Sequence, residues 1–562
     1  MRRPNHWITR VADRVEQRVL GDKGPGATVV CASGVSPSGP IHLGNLREVM
    51  TVHLVAEELR LRGWSVDHIH SWDDFDRLRK VPAGVPEEFA ENIGRPLSDI
   101  PDPAGVAESF ADRYIREFEQ SAARLGIFPR YLRQSRAYRA GAYRELIKKA
   151  MAHRLQIFDI LAEYQDSGRH AELLEERRSK YYPFRIYCEN CRRDSTIVES
   201  YDEATANLSY RCAHCGASRS LNLDEKIEGK LVWKVDWPMR WTFEHVDFEP
   251  GGEDHSAPGS SFTVGQRIAR EIFKTKPPDY IGYAFVGISG RSKISSSAGA
   301  SATPRAALDI LEPPIVRWLY IRRDPEQSFS IDFGQEVLRL YDEWDVFRGR
   351  AVGGKAAETE NYIYERCVHT SAGEVRHTQS AVPFRLLSSS ADLTQCSRSQ
   401  ILRIVAQHLG DALPLEELQE RLEPRLTCAI RWVDDYFPED ERTRVKSAFD
   451  ATAYNALSAE EQQSIALLLA RLDESWSLEG LTRLVYGVPK LQLGLPIDAP
   501  PNSEVKERQR RFFIALYTLL VGSDTGPRLP TLFLSLGLER VRNLLSGPSP
   551  AHAARERRAS VR

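Results

Sequence analysis

Between Ala27 and Leu54 the chain passes from a β-branched run through a turn into a helix, and this order restricts the folds open to it. Ala27-Thr28-Val29-Val30-Cys31-Ala32 has the composition of a short buried strand. Gly34, Pro37, Gly39 and Pro40 break it into a turn. From Leu43 onward, Leu46, Val49, Met50, His53 and Leu54 recur at helical spacing. Ser65-Val66-Asp67-His68-Ile69-His70-Ser71-Trp72 then reads as a second strand, with Asp73 and Asp74 at its C-terminal end. Strand, helix, strand is the unit of an open α/β sheet, which receives ligands at the carboxyl ends of its strands.

The turn has the chemistry of a phosphate site. A helix N-terminus presents unpaired N–H groups and a partial positive charge. Small residues at Ser36, Ser38 and Gly39 let a nucleotide come close to the backbone. His42, where the helix starts, can donate to a phosphate oxygen as charge develops. Gly44 leaves room for an adenine or ribose, and Asn45 adds a donor. An ordinary strand-to-helix turn with a capping histidine has the same local sequence. About 250 residues later, Tyr280–Ile288 reads as a strand that runs into the loop Ser289–Gly299. That loop holds Arg291, Lys293, Ser295, Ser296 and Ser297, so it is cationic and rich in donors. It suits a triphosphate whose charge shifts in a transition state, with Lys293 as ligand of the leaving pyrophosphate. A solvated serine-rich loop or a phosphorylation site is the plainer alternative.

Cys188-x2-Cys191 and Cys212-x2-Cys215 stand twenty residues apart. This is the spacing of a four-thiolate zinc (Zn2+) knuckle, and four cysteines leave no open position for water, so the metal is expected to be structural. A redox pair is the alternative. No secretory signal opens the chain, which argues against disulfides. Cys31, Cys367, Cys396 and Cys428 are scattered and read as small buried residues.

A length of 562 residues suggests about three or four domains. No run is long enough to span a membrane. The net charge of −2 does not point to nucleic acid, so its distribution matters more. Arg130, Arg133, Arg136, Arg139 and Arg144 interleave with Tyr131, Tyr138 and Tyr143, a pattern that can hold an RNA backbone and stack a base. Further basic groups lie at Lys506–Arg511 and Arg555–Arg562; solvated helix faces explain each patch equally well. Along the chain, 81–105 reads as a long loop, 106–180 as mostly helical, and about 183–228 as the cysteine module. Lys230–Trp237 reads as a returning strand. The segments 398–422, 439–449, 457–473, 504–521 and 537–545 read as helices, and the tail from Pro548 as disordered.

Pro37-Ser38-Gly39-Pro40-Ile41-His42-Leu43-Gly44-Asn45 and Ser292-Lys293-Ile294-Ser295-Ser296-Ser297-Ala298-Gly299 resemble the HIGH and KMSKS signatures of class I aminoacyl-tRNA synthetases. Further stretches resemble one family among them, the class I lysyl-tRNA synthetases. These are Val30–Val49, Ser71–Asp76, both cysteine pairs, Gly229–Trp241, Val246–Pro250 and Asp254-His255. The likeness is good over about 25–335 and loose beyond.

The resemblance implies a Rossmann catalytic domain over 1–182 and 229–300, split by a zinc-bearing insertion at 183–228. A stem-contact region at 301–375 and a helical anticodon-binding domain at 376–547 would follow, with a disordered basic tail at 548–562. It implies a cytoplasmic lysine–tRNA ligase, expected to be monomeric, that uses L-lysine, ATP, magnesium (Mg2+) and tRNA. His42, Asn45 and Lys293 would be catalytic. Pro37, Ser38, Gly39, His42, Gly44, Asn45, Gly287, Lys293, Ser295 and Ser296 would bind ATP. Gly34, Ser36, Trp237, His255 and Tyr283 would line the lysine pocket. A lysine side chain needs aromatic walls for its methylenes and a carboxylate for its ammonium. Asp73, Asp74, Asp236 and Asp254 are the candidate carboxylates, with Asp73 and Asp254 placed in the pocket.

Two positions depart from the family. It reads Gly-Lys-Asp-His where this chain has Gly252-Glu253-Asp254-His255, and Tyr-Glu where this chain has Tyr283-Ala284. A charge is reversed at the first and lost at the second. Both leave room for a paralogue that activates another amino acid or serves another acceptor. A tRNA-binding relic is the third reading.

Overall fold

The computed structural model describes residues 4–82, 84–164, 171–289, 302–380, 382–409 and 413–546. These form two compact units. The first holds 4–289, 302–332 and 346–376, and the second holds 333–345 and 377–546.

The first unit is built on a parallel sheet. Helix α1 (Trp7–Asp22) leads into β1 (Val29–Val35), α2 (Leu43–Leu61) and β2 (Val66–Trp72). β1 and β2 pair in parallel, Val29 opposite Val66 through Val35 opposite Trp72. Helix α3 (Phe110–Arg124) then brings in β3 (Arg130–Arg133), which pairs in parallel with β2. On the other side of β1, Phe248 bridges Cys31 and in turn Asp279, so the sheet continues as single-residue bridges. Asp247 ties down that edge: its Oδ2 accepts from the Val30 amide at 2.8 Å and pairs with Lys23 at 2.7 Å. Apolar residues cover most of α2, and Leu43, Leu46, Val49, Met50, Val52, Leu54 and Val55 are all buried. A helix buried on most of its surface needs neighbours on several sides.

β3 lies inside the stretch expected to be mostly helical. Arg130-Tyr131-Leu132-Arg133 carries too little apolar character to announce a strand; pairing with β2 makes it one. The same placement decides the basic cluster. Arg130 pairs with Asp67 and Glu244, Arg133 with Asp74 and Asp112, and Arg139 with Asp99. Tyr138 and Tyr143 are buried. These guanidiniums serve internal carboxylates, and neither ring is offered for stacking.

Helices α4 (Gln134–Arg139), α5 (Arg144–Ala152), α6 (Arg154–Ala162) and α7 (Ala171–Ser179) lead to the cysteine module. β4 (Phe184–Ile186) and β8 (Gly229–Leu231) pair antiparallel at its base, and β5 (Thr196–Asp202), β6 (Asn207–Cys212) and β7 (Ser218–Asn222) form a meander beyond. Gly229 is required there, because a Cβ would come within 2.3 Å of the Arg185 carbonyl.

Lys230–Trp237 is not one strand. β8 ends at Leu231, and α8 (Trp233–Glu244) begins two residues later. Its tryptophans explain the correction. Trp233, Trp237 and Trp241 recur every four residues, the first two stacked at 5.2 Å between ring centres and the second and third 4.9 Å apart. Valine and tryptophan favour strands by composition, but this spacing sets all three rings on one helix face. Tyr280–Ile288 is likewise two short strands, β10 (Gly282–Tyr283) and β11 (Val286–Ser289). The Ala284 amide leaves the ladder to donate to the Pro325 carbonyl at 2.9 Å. β10 pairs with β9 (Gly251–Gly252), and β11 with β12 (Phe329–Asp332).

Beneath the end of β2 lies a buried ionic network. Lys230 Nζ reaches Asp73 at 3.0 Å, Asp76 at 2.6 Å and Asp236 at 3.5 Å. Arg240 reaches Asp73 at 3.1 Å and Asp236 at 3.4 Å. Tyr138 donates its hydroxyl to Asp236. Burial alone would raise the Asp73 carboxyl, but Arg240 and Lys230 hold it below the usual range.

The second unit is helical, with helices including 384–393, 398–409, 415–422, 425–436, 459–471, 478–492, 503–521, 529–536 and 538–546. The helix expected over 439–449 is absent: a single 3-10 turn occupies Glu439–Glu441. That stretch has too few apolar side chains for a stripe, and the Lys446 amide is used by the Leu520 carbonyl at 2.9 Å. At Lys506–Arg511, Arg508 pairs with Glu504 and Glu460, and Arg511 with Glu507, so much of that charge is answered locally. Residues 548–562 lie outside the described residues.

Replacing Lys230 by methionine leaves Asp73 and Asp76 short of a cation in the interior. A loss of about 3–5 kcal/mol is expected, read in chemical denaturation as an earlier transition of the first unit, followed through its tryptophans. An unshifted transition would mean that water already compensates these carboxylates.

Candidate active site

The turn after β1 places the first motif at the sheet's carboxyl edge. His42 is the residue before α2, with extended backbone angles, and its side chain is exposed. Its amide donates to Asn45 Oδ1 at 3.3 Å, which orients the asparagine over the helix start. Pro37 is buried, Ser38 is exposed, and Ser36 and Gly39 are half-buried. Among the described residues, a Cβ built on Gly44 or Gly39 would meet nothing within 4 Å. The described part of the chain therefore leaves room beside these glycines for a ligand lying against the helix. Gly287 has a different reason: on β11 its Cβ would come within 2.7 Å of Ser330 Oγ on the paired strand. Lys293, Ser295 and Ser296 lie outside the described residues. The described ends of that segment reach the same helix. β11 leads into it, and Ala302, which follows it, accepts from the Leu43 amide at 3.0 Å.

A second group of residues lies one turn further along α2, around Glu48. The Gly34 amide donates to Glu48 Oε1 at 2.8 Å, and the Tyr283 hydroxyl donates to Glu48 Oε2 at 2.7 Å. Trp237 is buried among Trp233, Trp241 and Phe262, with its ring 5.6 Å edge-on from His255. Gly34, Glu48 and Tyr283 thus converge on one carboxylate, and Trp237 and His255 form an aromatic pair.

The predicted carboxylates divide by partner. Asp73 is held by Lys230 and Arg240. Asp74 accepts from Arg133 and from the Ser135 amide and hydroxyl. Asp236 belongs to the same ionic network as Asp73. Asp254 is exposed, 3.8 Å from His255. Glu48 is different. Among the described residues no lysine or arginine pairs with it, and its two hydrogen bonds come from uncharged donors. Dehydration pushes its carboxyl up to about 8, against the lowering effect of Gly34 and Tyr283. The sequence reading passed over this residue. The available signal was helical position: Glu48 follows Gly44 by four residues and so shares its face of α2.

The departures can now be placed. Glu253 is exposed. Ala284 is buried, and the Glu48 carboxylate is one residue away through Tyr283. A carboxylate therefore reaches this group of residues from α2, despite alanine at 284.

The four module cysteines converge. Their sulfurs lie within 4.8 Å of one another, with Cys188 to Cys215 and Cys191 to Cys212 at 3.7 Å. Tetrahedral zinc with bonds of about 2.3 Å needs sulfurs about 3.8 Å apart. The backbone is prepared in the same way on both sides. Arg192 donates its amide to the Cys188 carbonyl at 2.7 Å, and Gly216 to Cys212 at 3.0 Å. Both residues take left-handed angles, φ 63° and 72°. The donor set fits a structural zinc ion.

Residues 5–374 match the family described as tRNA synthetases class I (K). The chain belongs to that family. The lysine–tRNA ligase of Streptomyces coelicolor is 47% identical over 96% of this chain and 98% of its own length. That of Pyrococcus horikoshii is 33% identical over 94% and 97%, and that of Treponema pallidum 32% over 96% and 98%. The fold is accordingly that of a class I synthetase, an α/β catalytic region followed by a helical C-terminal part. Among the described residues no helix is long and apolar enough to cross a membrane.

Metal analysis of the purified protein is expected to find about one zinc per chain. Cys212→Ser should lower that content and the melting temperature together. Full stability without metal, with four titratable thiols, would rule out a structural ion.

Proposed function

We propose that this protein is a lysine–tRNA ligase, and that the observation carrying this reading is Glu48. A dehydrated carboxylate held by Gly34 and Tyr283, with no lysine or arginine partner among the described residues, is a receptor for an alkylammonium group. The aromatic pair Trp237 and His255 offers faces for its methylenes. The full-length similarity to lysine–tRNA ligases supports the same reading.

In this proposal the lysine carboxylate attacks the α-phosphorus of ATP in line. The bond to the β-phosphate oxygen breaks, giving lysyl-adenylate and pyrophosphate. The 2′-hydroxyl of the tRNA terminal adenosine then attacks the acyl carbon, and AMP leaves. No side chain becomes covalently attached, so rate comes from positioning and charge stabilisation. His42 and Asn45, at the positive end of α2, would hold the phosphates, and Lys293 would receive the pyrophosphate. Gly39 and Gly44 would admit the nucleotide. Magnesium bound with ATP would offset phosphate charge. The helical unit would read the anticodon. A cavity of about 910 Å3 there, lined in part by Arg385, Phe437, Arg442, Arg444 and Arg528, is of a kind that suits splayed single-stranded nucleotides.

Purified protein with ATP, magnesium and labelled lysine should charge lysine-accepting tRNA, and Lys293→Ala should abolish it. Failure of a folded, zinc-loaded protein to charge, with pyrophosphate exchange driven by another amino acid, would establish the paralogue reading instead. Glu48→Gln should weaken lysine binding by about 2–5 kcal/mol. The raised Glu48 carboxyl carries a proton below about pH 8, whereas an ammonium requires the carboxylate. Lysine binding near pH 7 should therefore release about one proton in wild type and none in Glu48→Gln. Calorimetry in buffers of different ionisation enthalpy measures this, and equal proton release in both proteins would remove Glu48 from the pocket. Arg444→Glu with Arg528→Glu should raise KM for tRNA and leave tRNA-free pyrophosphate exchange unchanged.

A further inference from the structure

Arg47 precedes Glu48 on α2 and is only 2% exposed. A guanidinium in such a place is normally matched by a carboxylate. This one is not. Its Nη2 donates to three backbone carbonyls of a single turn, Asp324 at 2.7 Å, Pro325 at 2.6 Å and Gln327 at 3.0 Å. Its Nη1 has no hydrogen-bond partner among the described residues. The nearby Asp324 carboxylate is taken by Arg10 at 2.7 Å. Dehydration accordingly lowers the guanidinium's proton affinity. A buried cation whose hydrogen bonds all go to the carbonyls of one turn fastens that turn firmly to α2.

The turn carries the base of the second signature. Residues 324–327 lead into β12, which pairs with β11, and β11 runs into the segment that contains Lys293. The Pro325 carbonyl accepts from both Arg47 and the Ala284 amide, so one oxygen joins α2 to the approach to β11. The Arg47 guanidinium also lies over the ring of Phe329, the first residue of β12, 5.0 Å from its centre. A second tether runs in parallel: Tyr320, in the helix just before this turn, donates to the Leu43 carbonyl at 2.8 Å. The β11–β12 pair is therefore fastened to the helix whose N-terminus faces the phosphate site, and Arg47 makes most of that fastening.

We infer that Arg47 is a positioning residue that sets the β11–β12 pair, and with it the approach to Lys293, against the N-terminal end of α2. It touches no substrate. It acts by holding β11, the strand that enters the second signature, in place against α2, and the inference rests on the ligase reading above. Misplacement of a catalytic group by about 1 Å can reduce a rate about 100-fold. The effect should therefore appear in the chemical step, while the lysine pocket on the adjacent face of α2 stays formed.

The test compares wild type, Arg47→Met and Arg47→Lys in the full-length, zinc-loaded protein. In Arg47→Met, kcat for lysine-dependent pyrophosphate exchange should fall about tenfold or more, with lysine Kd by calorimetry within about threefold of wild type. Amide hydrogen exchange over Phe329–Asp332 should accelerate, and exchange in β1 and β2 should not. Arg47→Lys, whose ammonium can donate to all three carbonyls from one nitrogen, should recover most of kcat and of the amide protection. A parallel loss of lysine affinity, β1–β2 protection and kcat would make Arg47 a general structural residue and overturn the inference. Unchanged kcat and protection would overturn it too. If wild type itself neither charges lysine-accepting tRNA nor shows lysine-dependent exchange with that tRNA present, the ligase reading has failed, and protection of Phe329–Asp332 alone decides whether Arg47 holds this strand.

Discussion

The catalytic unit depends on the buried charges that Lys230 and Arg240 share with Asp73, Asp76 and Asp236. They join three pieces that are distant in sequence: the end of β2, the closing strand of the cysteine module, and α8. Each charge would be costly to bury alone. Placed together, and with the Tyr138 hydroxyl added, they require β8 to sit beside the carboxyl end of β2. α8 then follows at once, and its tryptophan face is delivered to the wall of the proposed amino-acid pocket. The cysteine module would support this arrangement in the same indirect way. Its ion would close the insertion so that β4 and β8 meet, and β8 carries Lys230.

Helix α2 is the second organising element, and its faces are used differently. At its N-terminus His42 is exposed, and Gly44 meets no side chain among the described residues. Glu48 faces Gly34 and Tyr283. Arg47, rotated by about 100° from Glu48 on the helix, fastens the turn before β12. Both inward charges are unusual for a buried helix, because neither has a charged partner among the described residues. A carboxylate without an internal cation is free to take one from a substrate. The two residues are opposite in charge and adjacent in sequence, and each is hydrogen-bonded to uncharged groups of the chain.

Much of the architecture was legible in the residues. The strand, turn and helix from Ala27 to Leu54 read directly, because β-branched composition and helical spacing there agree with burial. The cysteine spacing announced four converging sulfurs, since the knuckle is local backbone geometry. Other segments misled for identifiable reasons. Lys230–Trp237 has strand composition, but its tryptophans keep a four-residue period that only a helix puts to use. Arg130–Arg133 has no strand signal and becomes β3 only by lying beside β2. Residues 439–449 lack the apolar stripe that a stable helix requires.

The sequence by itself determined the chemistry available: a glycine-lined turn before a helix, a histidine and asparagine at its start, a cationic serine-rich segment far downstream, and four thiols in two pairs. These are short-range patterns, in which neighbouring residues set the backbone and the backbone sets the function. Which carboxylate lacks a cationic partner was decided only by tertiary structure. The sequence offered Asp73, Asp74 and Asp236 as candidates and not Glu48. Long-range pairing with Lys230, Arg240 and Arg133 satisfied those three and left Glu48 with two uncharged donors. A charge's availability depends on whether another part of the chain has already neutralised it, and no local pattern records that.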